Sequence, residues 1–208
     1  MSSKSISVLI VAVLLAAQAS AQPAPQEEFQ ALLERVKKSD ASVDFTRMRQ
    51  LQTQLDDYEP YGLDVKENPL ALVRDGKLER AQAVAQQVLA VSYLDLEAHT
   101  AAARVAEERG DKAAAAHHRY VVDGVLDSIL KSGDGKTTGT AYVVITVSEE
   151  YATMGHLGLQ VAEQSLLNDD AGHAYDLLKG VNPETKATQE VYFNIDSIMG
   201  AAAKMFSP

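Results

Sequence analysis

DSILKSGDGKTTGTAYVVITVSEEY, residues Asp127–Tyr151, is where the chain changes character. Upstream, alanine-rich faces recur with helical spacing; downstream, β-branched and aromatic residues are broken by short turns. The glycine turn Gly133-Asp134-Gly135-Lys136 ends the preceding helix near Lys131. Tyr142–Ser148, YVVITVS, predicts a strand by composition, continuing through Glu149, Glu150 and Tyr151 to Met154. Glu149 to Leu167 also admits a helix, because Glu, Ala, Met, Leu and Gln are good helix formers. The strand reading rests on the spacing of turns.

Gly155-His156-Leu157-Gly158 turns the chain into a second predicted strand, Leu159 to Leu167. The turn cluster Asn168-Asp169-Asp170-Ala171-Gly172 leads to a third, His173 to Val181. A further turn over 182–187 leads to a fourth, Thr188 to Ile195. Short turns between consecutive strands predict an antiparallel meander of about four, packed by one face on helices. Ile198, Ala202, Met205 and Phe206 mark a short closing helix. The fold class expected is therefore α+β.

Upstream, Phe29, Leu32, Leu33 and Val36 make one amphipathic stripe; Phe45, Met48, Leu51 and Leu55 make a second, with Asp44 placed as its cap. Asn68-Pro69 opens a short helix to Asp75. Gly76 and Gly110 stand 34 residues apart, and Ala81 has its counterpart at Ala115. That period is the tetratricopeptide one. It predicts paired helices over 70–91 and 94–131, close-packed at the alanines. In a repeat array the concave face would be a peptide groove; with so few repeats the expectation is that this face is buried against the sheet.

Lys4, the apolar run Ile6–Ala17 and the small-x-small site Ala19-Ser20-Ala21 read as a cleavable secretory signal. The expected organisation is a signal over 1–21, a helical part over 22–131 and a β part with closing helix over 132–208, the last two forming one compact unit. Mature protein would begin near Gln22, periplasmic or secreted. The apolar run is short for a bilayer span, so no stable membrane insertion is expected after cleavage. The chain has no cysteine, so stability after export comes from packing alone. The net charge of −10 becomes −11 once Lys4 leaves with the signal. That balance argues against nucleic acid as a partner, because its binding requires phosphate neutralisation.

Gly135-Lys136-Thr137 resembles a phosphate loop only in part: the position that should be glycine is Leu130, and a helix precedes where a strand is required. On a strand, adjacent Glu149 and Glu150 point to opposite faces, which excludes them as a paired acid and base without a third carboxylate. The one facing the helical half needs a partner. His99, His117 and His118 lie on paired helices, but no ligand spacing such as HExxH accompanies them, so no metal and no cofactor are expected. No serine, Ser128 and Ser148 included, sits in a G-x-S-x-G elbow, and no catalytic residue is assigned.

With these residues in view, the chain resembles an uncharacterised bacterial exported family, domain of unknown function 4919. The resemblance rests on Tyr93–His99 (YLDLEAH), Ser128–Lys136 (SILKSGDGK), Glu149-Glu150-Tyr151, Tyr175-Asp176 and Tyr192–Ile195 (YFNI), and runs from about Phe45 to Ile195. It implies helices followed by strands and carries no activity. The matching polar residues His99, Asp134, Glu149, Glu150, Tyr151, Asp176 and Asn194 are the binding-site candidates, expected to line a polar seam where the halves meet. The function expected is a non-enzymatic protein-interaction or ligand-binding module, its partner another cell-envelope protein. The alternative is a hydrolase or metal-dependent enzyme using His99, His118, Glu149 and Glu150.

Overall fold

The computed structural model describes residues 23–63 and 65–205. The secretory signal read over 1–21 lies outside them, as does Phe206. The helices expected upstream of the glycine turn are present as α1 (Pro25–Val36), α2 (Phe45–Gln52), α3 (Pro69–Arg74), α4 (Leu78–Val91), α5 (Leu96–Glu108) and α6 (Lys112–Leu130). Their starts are chemically marked. Asp44, Asn68, Asp95 and Asp111 each accept a hydrogen bond from the backbone N–H three residues on, which satisfies one otherwise orphaned donor per helix. The turns after α3 and α5 close identically. Gly76 and Gly110 have φ of +73° and +74°, and the following N–H of Lys77 and Asp111 reaches back to Leu72 O and Ala106 O at 2.9 and 2.8 Å. Ala81 and Ala115 are buried where α4 and α6 meet their neighbours.

Downstream the fold is a mixed sheet. After a 3-10 turn over Thr138–Thr140 come β1 (Tyr142–Val143), α7 (Val147–His156), β2 (Gln160–Asn168), β3 (Ala174–Val181), β4 (Thr188–Asn194) and α8 (Asp196–Met205). The strand order is β1-β4-β3-β2. β2, β3 and β4 form the antiparallel meander, with Leu178 opposite Gln164 on one side and Val191 on the other. β1 instead joins β4 in parallel, Tyr142 opposite Phe193.

Two expectations are thereby corrected. The sheet is not purely antiparallel, and the run after Val143 is not a strand. Val144 still donates to Asn194 O at 3.2 Å, but the N–H of Ile145 is taken by the Glu149 carboxylate at 2.8 Å. The next residue, Thr146, then caps a helix by accepting from the Glu149 N–H. Competition from local side-chain bonds ends the strand after two residues.

The glycine turn is structural. The N–H groups of Asp134 and Gly135 both donate to Thr140 O, and Tyr192 N–H donates to Gly135 O at 2.8 Å. A Cβ on Gly133 would lie 2.3 Å from Thr140 O, and one on Gly135 2.5 Å from the Tyr142 ring. Only glycine allows this loop to lie against β1 and β4.

One apolar cluster runs through both halves: Phe29 and Val36 from α1, Met48 and Leu51 from α2, Val125 and Ile129 from α6, then Leu178 and Phe193 from the sheet and Ile198 from α8. Smaller clusters around Ala85 and Ala98, and around Ala81 and Val105, glue α3, α4 and α5.

Candidate functional site at the helix–sheet junction

α7 sits at the junction and presents three faces. A helix turns about 100° per residue, so neighbouring Glu149 and Glu150 point in different directions, each inward. Both are buried.

Glu149 reaches the helical half. Its two oxygens accept from Arg49 Nε and Nη2 at 2.8 and 2.6 Å, a bidentate pair. Arg49 has two further acceptors, Ser128 Oγ at 3.1 Å and Val143 O at 2.9 Å. Four elements, α2, α6, β1 and α7, are thus tied through one guanidinium. Such a pair is costly to desolvate, and four N–H···O bonds from Arg49 offset that cost.

Glu150 faces the sheet. It is fully buried, and neither carboxylate oxygen meets a hydrogen-bond donor. What it meets is another acid, Asp176 on β3, within side-chain hydrogen-bond reach. Two ionised carboxylates cannot share a dry site, so one must hold a proton and donate it. Burial, and then the negative charge of Asp176, push the Glu150 carboxyl up to about 9. Glu150 is therefore the protonated donor at neutral pH and Asp176 the acceptor. Asp176 also accepts from Gln164 Nε2 at 2.7 Å, and Gln164 Oε1 accepts from the Tyr151 hydroxyl at 3.1 Å. A continuous relay runs from buried Glu150 to exposed Tyr151.

The third face of α7, Ser148, Tyr151, Ala152, Gly155 and His156, borders a cleft of about 700 Å³. Its remaining walls come from α3, α5 and α6, including Leu70, Leu96, Thr100, Arg104, Val122 and Leu126. No strand residue lines it. The inner side of the helical hairpins is thus flanked by α7 and left open, where the sequence suggested burial by the sheet.

The expected seam is brought together only in part. Glu150, Asp176 and Tyr151 are joined through Gln164, with Glu149 beside them on α7 facing away toward Arg49. His99 belongs to a separate cluster between α5 and α6. Its Nε2 faces Tyr93 O at 2.7 Å and its Nδ1 faces His118 Nδ1 at 2.8 Å. A carbonyl only accepts, so Nε2 carries the hydrogen of His99, and His118 donates from Nδ1. Burial holds His99 at about 3 and also lowers His117 and His118. His117 bridges Ser39 and the Tyr93 hydroxyl. Among the described residues no three His, Asp or Glu side chains converge as metal ligands. Asp134 lies in the glycine loop, where bonds from Thr140 and Lys136 lower it to about 2. Asn194 bonds Asp196 at the start of α8.

Arg49, Gln164 and Arg104 were not singled out by sequence. Arg49 falls one residue beyond Met48 on the stripe of α2, four after Phe45, and an arginine on an apolar stripe is a readable signal for a buried acid. Gln164 and Arg104 carry no such mark; their positions follow from which faces of β2 and α5 meet α7.

The structure defines an α+β protein of helical hairpins beside a mixed four-stranded sheet. The chain belongs to the family described as Domain of unknown function (DUF4919), which matches residues 21–204. No curated protein matches the chain, and no solved structure does either. Among the described residues no helix is long and apolar enough to cross a membrane.

Proposed function

We propose that the protein is an exported, non-enzymatic ligand-binding module, and that the cleft bounded by α3, α5, α6 and α7 is its binding site. The observation that carries this reading is the cleft itself. Its volume lies within the range of small-molecule sites, and it combines an apolar floor of Leu96, Val122 and Leu126 with a polar rim. Fixed walls support binding: α7 is braced on one side by the Arg49–Glu149 pair and on the other by Glu150 and Asp176.

The helical part is tetratricopeptide-like in this reading. The repeated closure at Gly76 and Gly110 supports it, as does the placing of α3, α5 and α7 along one inner face. Export rests on the N-terminal sequence, with cleavage at Ala21-Gln22 and a periplasmic or secreted product.

The test is native mass spectrometry of protein recovered from the cell envelope. A chain beginning at Gln22 and carrying a reproducible small-molecule adduct is expected. Ala152→Trp, which fills the cleft, is expected to remove the adduct while a wild-type circular dichroism spectrum shows that the fold is kept. An intact Met1 terminus would defeat the export reading; an adduct that survives Ala152→Trp would defeat the cleft.

A further inference from the structure

We infer that the ligand of this cleft is a small amphipathic carboxylate, its acid group held by Arg104 and His156 and its apolar body lying along Leu96, Leu126 and Ala152. This rests on the cleft reading above and names the chemistry it selects.

Most polar groups of the cleft are already engaged. Asn68 Nδ2 donates to Glu97, Thr100 Oγ1 donates to Leu96 O, and the Tyr151 hydroxyl donates to Gln164. Ser148 is within hydrogen-bond reach of Thr146 Oγ1 and of the Asp95 carboxylate. Arg104 and His156 remain. Neither side chain has a hydrogen bond or ion pair among the described residues. Of the eight arginines, Arg35, Arg47, Arg49, Arg80, Arg109 and Arg119 are paired with Asp or Glu. Of the other two, Arg74 and Arg104, only Arg104 lines the cleft. In a chain with 29 acidic residues against 19 basic ones, an unpaired arginine on a cleft wall is a vacant anion contact. Guanidinium presents a planar fork that matches a carboxylate in two parallel bonds.

Arg104 and His156 both stand well along their helices from the N-terminal ends. Asn68–Glu97 ties the start of α3 to the start of α5, and Ser148 with Asp95 ties the start of α5 to the start of α7. Arg104 lies eight residues after Leu96, and His156 eight after Ser148, each about 12 Å along at 1.5 Å per residue. The one acidic side chain among the lining residues, Glu97, lies at the opposite end and is already engaged by Asn68. The stripe Leu96, Thr100, Arg104 grades from buried apolar to exposed cation. An acid with an aliphatic tail matches that gradient; a cationic amphiphile opposes it, and a neutral one leaves Arg104 unused.

The experiment is isothermal titration at pH 7 with decanoate, decylamine and decanol. Decanoate is expected to bind, with decylamine at least tenfold weaker. Arg104→Gln should weaken decanoate at least tenfold and abolish the preference, His156→Gln should weaken it less, and Arg104→Lys should retain part of it. Arg104 is exposed, so these variants are expected to melt with wild type. Equal binding of all three probes, still blocked by Ala152→Trp, would overturn the anion inference and leave the cleft reading standing. No binding of any probe would overturn the inference too, while the adduct experiment decides the cleft independently.

Discussion

Glu149 and Glu150 are chemically identical neighbours with opposite electrostatic fates. Glu149 accepts two parallel bonds from the Arg49 guanidinium; Glu150 is kept neutral against a second carboxylate. The difference has a pH signature. The Glu150 carboxyl is raised from 4.5 in the unfolded chain to about 9 in the fold. Below pH 4.5 both states hold the proton and nothing is lost. Above it the unfolded state releases its proton while the folded state keeps it, so stability falls as pH rises toward 9. Glu150→Gln replaces the titrating hydrogen with an amide that donates to Asp176 at every pH. It is expected to be nearly neutral at pH 4.5 and to stabilise by up to about 5 kcal/mol at pH 8, each pKa unit being worth about 1.4 kcal/mol. Urea melts at the two pH values check this, and equal effects at both would remove the shared proton. None of this is legible in the sequence, which places the two acids on a strand and gives no sign that Asp176 meets Glu150.

At the scale of the element, α7 is where sequence reasoning and structure part. Tyr142 and Val143 pull toward strand and win for two residues. The helix that follows was also written in the chain, as Thr146-x-x-Glu149, the pattern that opens helices by capping. Propensity summed over a mixed window hid that local signal. The upstream helices were legible because apolar period, caps and glycine stops agreed with one another. α6 adds a feature no periodicity shows. Gly124 lies under the Phe45 ring, and a Cβ there would come within 2.3 Å of it. Gly124→Ala raises helix propensity yet is expected to destabilise by about 1–3 kcal/mol through overpacking. A thermal melt decides between the two effects, and an unchanged or raised Tm would show that α2 shifts freely on α6.

Over the whole molecule, the central question is how helices and sheet hold together. The apolar cluster from Phe29 to Ile198 and the Arg49 brace both cross from residues before the glycine turn to residues after it. We propose on this basis that residues 22–131 and 132–208 fold as one unit. Arg49→Met leaves Glu149 buried without its partner, which typically costs about 3–5 kcal/mol. Far-ultraviolet circular dichroism, following the helices, and tyrosine fluorescence should then shift to lower denaturant together in one transition. Two separated transitions would show independent halves. By itself the chain determined the α+β class, the helices upstream of the glycine turn, three of the four expected meander strands and the family, because these depend on local period, caps and turns. Only the tertiary structure decided the parallel pairing of β1, the opposed states of Glu149 and Glu150 and the open cleft. Each of these depends on which groups from distant segments exclude water from one another, and no local pattern of residues encodes that.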